Sequence, residues 1–198
     1  MPYSEFSLAK VKKKFELVTS ENTNIFGEVA ELTCSEYLAE TLAYNVPLAL
    51  ASNSEKARSE MIITPILIEV RKQLKSQFSL FSGVDFTVDS EQSLNGYCDF
   101  IISNSLEQLF VSAPVVMLVE AKNEDIKGGL GQCVAEMFAA QIFNVREDNS
   151  INSIYGCVTS GTNWRFLRLV DKVIEIDLIE YYLTNINKIL GILAYAVS

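Results

Sequence analysis

The sequence predicts an α/β fold in which a mixed central β-sheet is flanked by helices and preceded by a helical N-terminal extension. Three observations carry that expectation. The first third of the chain reads at helical period, the middle holds three β-favouring runs in succession, and an alanine-rich helical stretch then precedes two more such runs around a Ser-Gly-Thr turn. A length of 198 residues fits one domain, 1–198, with no linker or internal repeat to divide it.

Taken in order, Ser4 to Leu17 places Phe6, Leu8, Val11 and Phe15 at helical spacing, with Lys10, Lys12, Lys13 and Lys14 forming a basic face that solvation alone explains. Thr33 to Ala51 is a second helix, broken or kinked near Pro47. A third runs from Ser54 to Leu74 and carries Glu60 ahead of Pro65. Residues 1–53 thus form the extension and 54–177 the core. Phe78 to Val88, Gly96 to Ser103 and Pro114 to Ala121 are the three strands. Gly128-Gly129-Leu130-Gly131 reads as a turn, and since no Gly-Lys-Ser/Thr follows it is not a nucleotide P-loop. It leads into a helix over Gln132 to Phe143.

Ile151 to Thr159 and Asn163 to Val170 then flank a hairpin turn at Ser160-Gly161-Thr162. Parity sets Trp164 and Phe166 opposite Arg165 and puts that aromatic face in the core, while Arg165 and Arg168 are placed near a cleft. Val173 to Ile176 is a further strand. The last helix, Leu178 to Val197, is apolar around most of its circumference, which predicts a homodimer or burial against the N-terminal helices.

Composition removes whole classes of chemistry. With no histidine, Ser-His-Asp and Cys-His catalysis, histidine-ligated zinc and histidine acid–base schemes are excluded. Carboxylates, lysine, tyrosine and thiols remain. Sixteen Lys+Arg against 25 Asp+Glu give a net charge of −9, which favours solubility and weakens attraction to polyanions, although a local basic contact still permits nucleic-acid binding. Cys34, Cys98, Cys133 and Cys157 form no C-x-x-C pair and read as buried, reduced thiols. With no apolar run of membrane-spanning length and no apolar signal core, the expectation is a cytoplasmic protein with no membrane partner.

One strand ends Val115-Val116-Met117-Leu118-Val119-Glu120-Ala121-Lys122, and alternation puts Glu120 and Lys122 on one side of it. Asp99, in Gly96-Tyr97-Cys98-Asp99-Phe100, can meet Glu120 across neighbouring strands. Two carboxylates able to hold Mg²⁺ beside a lysine able to position water are the equipment of metal-assisted phosphodiester hydrolysis. The triplet alone decides nothing, because about 1.4 acid-x-Lys triplets arise by chance in this composition. The chain has two, and Asp125-Ile126-Lys127 lacks the apolar run that would bury and fix it. Without that run, a salt bridge at the sheet's end would suffice for Glu120 and Lys122.

These residues and their order resemble the PD-(D/E)XK nuclease superfamily, the restriction-endonuclease-like fold, over roughly Ser54 to Leu169. The hairpin Tyr155 to Phe166 is similar to that of uncharacterised bacterial branches. The resemblance implies that Asp99 and Glu120 bind Mg²⁺ or Mn²⁺, that Lys122 positions the attacking water, and that Glu60 and Gln132 assist. It implies nucleic acid, DNA foremost, as substrate. Cys98 stands where many members have proline. Glu60 serves equally well as an ordinary ion-paired helix glutamate. The rival from another class is a catalytically inactive interaction module that keeps the fold and forms oligomers, favoured by the charge of −9.

Overall fold

Helix α1 (Leu8–Phe15) begins at Ser7, whose hydroxyl accepts from the Lys10 N–H, and stops at Glu16 in a left-handed conformation. These coordinates come from a computed structural model that describes residues 2–22, 24–149 and 151–198. After α1 come β1 (Val18–Asn22), α2 (Glu36–Ser52) and α3 (Glu55–Arg58). A π-helical turn over Ser59–Ile63 joins α3 to α4 (Thr64–Gln73). The remaining elements are β2 (Ser79–Asp85), β3 (Tyr97–Ser103), β4 (Val115–Ala121), α5 (Ile126–Arg146), β5 (Ile154–Thr159), β6 (Asn163–Val170), β7 (Val173–Asp177), β8 (Tyr181–Tyr182) and α6 (Ile186–Ala196).

The strands form one mixed sheet in the order β1-β7-β6-β5-β4-β3-β2, with β8 also paired to β6. β2, β3 and β4 are antiparallel, and α5 makes the crossover that lets β5 run parallel to β4. All seven residues of β4 are buried, as expected for a strand covered on both faces. One face carries α1 and α5 over Leu118, Val158 and Leu167, with Phe15, Leu130, Cys133 and Met137 in that layer. The other carries α2, α4 and α6 over Phe100, Trp164 and Phe166, with Leu38, Ile66, Leu190 and Leu193.

The α/β class, the mixed sheet and its flanking helices agree with the sequence reading, and four local expectations are corrected. The N-terminal region is not purely helical, because β1 joins the sheet edge in parallel register with β7. Gly128 to Gly131 are not a turn but the first turns of α5, which starts at Ile126 under the Asp125 carboxylate. There the missing side chains permit contact: a Cβ on Gly131 would run into the backbone of Phe6 and Ser7. The last helix starts at Ile186, not Leu178, because the buried Asp177 accepts from the Ile179 N–H at 2.9 Å and the Tyr181 hydroxyl at 3.1 Å, holding that stretch extended. Only three of the four cysteines are buried, Cys34 being half-buried, and all are free thiols.

The apolar circumference of α6 is covered by the chain itself. Ile189, Leu190, Ile192, Leu193 and Ala196 are buried, and Gly191 lies against the Ala30 carbonyl. Burial within the chain, in part against the segment at Ala30, accounts for most of its apolar composition, and Tyr195 remains exposed. Among the described residues no helix is long and apolar enough to cross a membrane.

Candidate active site

In the antiparallel register of β3 and β4, Phe100 faces Val119, so the next pair outward is Asp99 and Glu120, on the face covered by α5. Cross-strand partners in this geometry project side by side. Asp99 is fixed by the Ala121 N–H, which donates to its Oδ2 at 2.8 Å. Lys122, two residues on, turns back to pair its Nζ with Glu120 Oε1. Its own N–H donates to the Thr159 carbonyl at 2.8 Å, which holds the chain beside β5 past the end of β4.

Helix α5 closes the cluster. Gln132 Nε2 donates to Glu120 Oε2 at 2.9 Å and to Glu136 Oε1 at 3.1 Å, while its Oε1 accepts from Lys122 Nζ at 3.5 Å. Gln132 and Glu136 stand one helical turn apart and so share this face. The glycines at the start of α5 make room for the lysine stem. A Cβ on Gly129 would lie 2.7 Å from Val158 Cγ1 and 3.0 Å from Lys122 Cγ. Substitution there would displace the side chain that carries the ammonium.

Burial dominates the electrostatics. Glu120 is 1 % exposed, and desolvation together with the Asp99 charge pushes its carboxyl up to about 8, which the ion pair with Lys122 offsets without cancelling. Desolvation also raises Asp99, and it raises Glu136 well above the ordinary carboxyl range, with the Glu120 charge second. Burial pulls the Lys122 ammonium down, but Glu120, Glu55 and Asp99 more than restore it and leave it above its usual value. The second oxygen of Glu136 is buried with no hydrogen-bond partner among the described residues.

Asp99, Glu120 and Lys122 thus meet as the strand pattern predicts, and Gln132, named through the resemblance, lies with them. Glu60 is not among them: it is exposed and pairs with Lys56 at 3.3 Å. The nearer helix acid is Glu55, at the start of α3, whose charge reaches both Glu120 and Lys122. Five residues separate the two, about 140° around a regular helix, and the intervening π-helical turn changes the phase again. Arg165 and Arg168 do not enter the cluster either, since each is held by an acid, Glu180 and Glu175, at 2.5 Å. Glu136 joins the cluster through Gln132, and its i,i+4 spacing from that residue is the signal for it.

Asp99 and Glu120 are the two carboxylates that the sequence reading assigns to a divalent cation, and both Glu120 oxygens here accept from Lys122 and Gln132. Among the described residues no three His, Cys, Asp or Glu side chains converge as a ready-made metal cage. A two-carboxylate donor set with the remaining positions left to water and substrate is the pattern that Mg²⁺ uses. Comparison with known proteins finds no family, no curated protein and no solved structure that matches this chain.

Proposed function

We propose that the protein is a metal-dependent nuclease of the restriction-endonuclease-like fold, hydrolysing phosphodiester bonds at the cluster around Glu120. The observation that carries this reading is the convergence of Asp99, Glu120 and Lys122 at one end of adjacent strands. In this scheme Asp99 and Glu120 hold Mg²⁺ or Mn²⁺, which when bound supplies charge neutralisation at the phosphate and a more acidic water. Lys122, kept as an ammonium by its acidic neighbours, orients that water. Gln132 keeps Glu120 and Lys122 in register by contacting both. The unpartnered oxygen of Glu136 shows that the cluster retains polar capacity which packing leaves unused.

The test is cleavage of duplex, single-stranded and branched DNA with Mn²⁺ by wild type and Lys122→Ala. Loss of the water-positioning group is expected to slow cleavage about a hundredfold or more while Mn²⁺ binding persists. Cleavage that survives Lys122→Ala refutes the mechanism. A second reading, a silent interaction module, draws on one observation: both oxygens of Glu120 already have protein partners, Lys122 and Gln132. That reading predicts no Mn²⁺ binding at all.

A further inference from the structure

Arg58 is 6 % exposed, and it is the only arginine buried among the described residues. Its partners are all neutral. Nε donates to Asn123 Oδ1 at 2.9 Å, and Nη1 donates to the Ser160 carbonyl at 3.1 Å and to Thr162 Oγ1 at 3.5 Å. Among the described residues it forms no ion pair, whereas Arg146, Arg165 and Arg168 each do. A guanidinium stays charged at any working pH, and burying that charge without a counter-ion is unfavourable unless something repays it. If Arg58 served only to tie α3 to the ends of β4 and β5, a neutral amide could meet the same acceptors without that penalty.

The side chain also retains unused donors. Nη2 has no hydrogen-bond partner among the described residues and is not among the polar atoms sealed from solvent. Its location is specific: Asn123 directly follows Lys122, and Ser160 directly follows Thr159, the residue that anchors the Lys122 N–H. Arg58 therefore stands at the carboxyl ends of β4 and β5, where ligands bind in open α/β sheets. The acids Asp99, Glu120 and Glu55 and the net charge of −9 would repel an anion approaching this end of the sheet. A fixed cation without a counter-ion at the same end of the sheet is what such a ligand requires.

We infer that Arg58 is a phosphate-binding residue, its guanidinium taking the non-bridging oxygens of a phosphate group at the same end of the sheet as the Lys122 cluster. That the phosphate belongs to nucleic acid rests on the function proposed above. The anion contact itself needs neither metal nor cleavage.

The test uses the full chain without metal and follows the Arg58 Nε–Hε resonance during titration with inorganic phosphate, then with a short single-stranded oligonucleotide. Saturable movement of that resonance with both probes is expected. Oligonucleotide affinity should fall about ten- to a hundredfold in Arg58→Gln and less in Arg58→Lys, with the salt slope reduced by about one in Arg58→Gln. A resonance unmoved by either probe overturns the inference, and the wild-type titration decides it even where Arg58→Gln does not fold. Movement with phosphate and none with oligonucleotide upholds the anion site and overturns nucleic acid as its source. Failure of the hydrolysis reading, seen as no cleavage with Mn²⁺, leaves both titrations standing.

Discussion

The two ends of the β4–α5 pair solve the same problem, a polar side chain buried between helix and strand, in opposite ways. At the start of β4, Asn144 accepts from the Val115 N–H at 2.7 Å and donates to the Val115 carbonyl at 2.8 Å, so strand and amide satisfy each other. At the far end, Gln132 meets two carboxylates and an ammonium, and one oxygen of Glu136 is left without a partner. The first arrangement is complete without a ligand. The second concentrates like charges and unused polar capacity in a buried site, which opposes folding and is characteristic of sites retained for function.

The largest expected effect comes from pH acting on the charged end. Glu120 ionises near 8 in the fold against an ordinary 4.5, so between those values the folded state holds a proton that the unfolded chain has released. That stability is fully present below pH 4.5 and is lost as pH rises through 8. Asp99 and Glu136 are raised as well and act in the same direction. Denaturant melts of the metal-free protein should therefore show stability falling by a few kcal/mol across this window, at about 1.4 kcal/mol for each unit of separation, and Glu120→Gln should flatten the profile. A profile equally steep in Glu120→Gln would break the contrast between the two ends.

The neutral end should show the reverse pattern. Asn144→Leu strands the N–H and carbonyl of Val115, and it is expected to destabilise by about 2–3 kcal/mol at every pH, leaving Mn²⁺ binding unchanged. A pH-dependent loss in that variant would mean that the ends are coupled.

What was legible in the sequence follows a physical line. Alternation along Val115 to Lys122 exposes Glu120 and Lys122 because a strand's period is local, and Asp99 follows from antiparallel pairing of neighbouring strands. Gln132 was legible only through the resemblance, which implies a polar residue on the helix after that strand. β1 was not legible, since Val18-Thr19-Ser20-Glu21-Asn22 is a largely polar edge strand whose partner lies some 155 residues away in sequence and leaves no local apolar pattern. The start of α5 was hidden for a different reason: glycine disfavours helix locally, and only the close approach of Phe6, Ser7 and the Lys122 stem explains its presence there. Arg58 was unreadable because its acceptors come from Asn123, Ser160 and Thr162, on separate loops.

The smallest effect separates the two helix acids. Glu60→Gln alters an exposed pair with Lys56 and should change stability by less than about 0.5 kcal/mol, with no effect on Glu120. Glu55→Gln removes a charge that raises Glu120, so the Glu120 carboxyl should titrate at lower pH when followed by side-chain carbon NMR. An effect from Glu60→Gln and none from Glu55→Gln would reverse the assignment.

On the function proposed above, the charged end of the β4–α5 pair binds a divalent cation. Calorimetric titration of Mn²⁺ into wild type, Asp99→Asn and Asn144→Leu tests it most directly. One saturable binding event is expected in wild type, with retention in Asn144→Leu and loss in Asp99→Asn, which removes one charge of the pair while keeping its shape. Wild type that takes up no Mn²⁺, or Asp99→Asn that binds it as tightly as wild type, would contradict the claim.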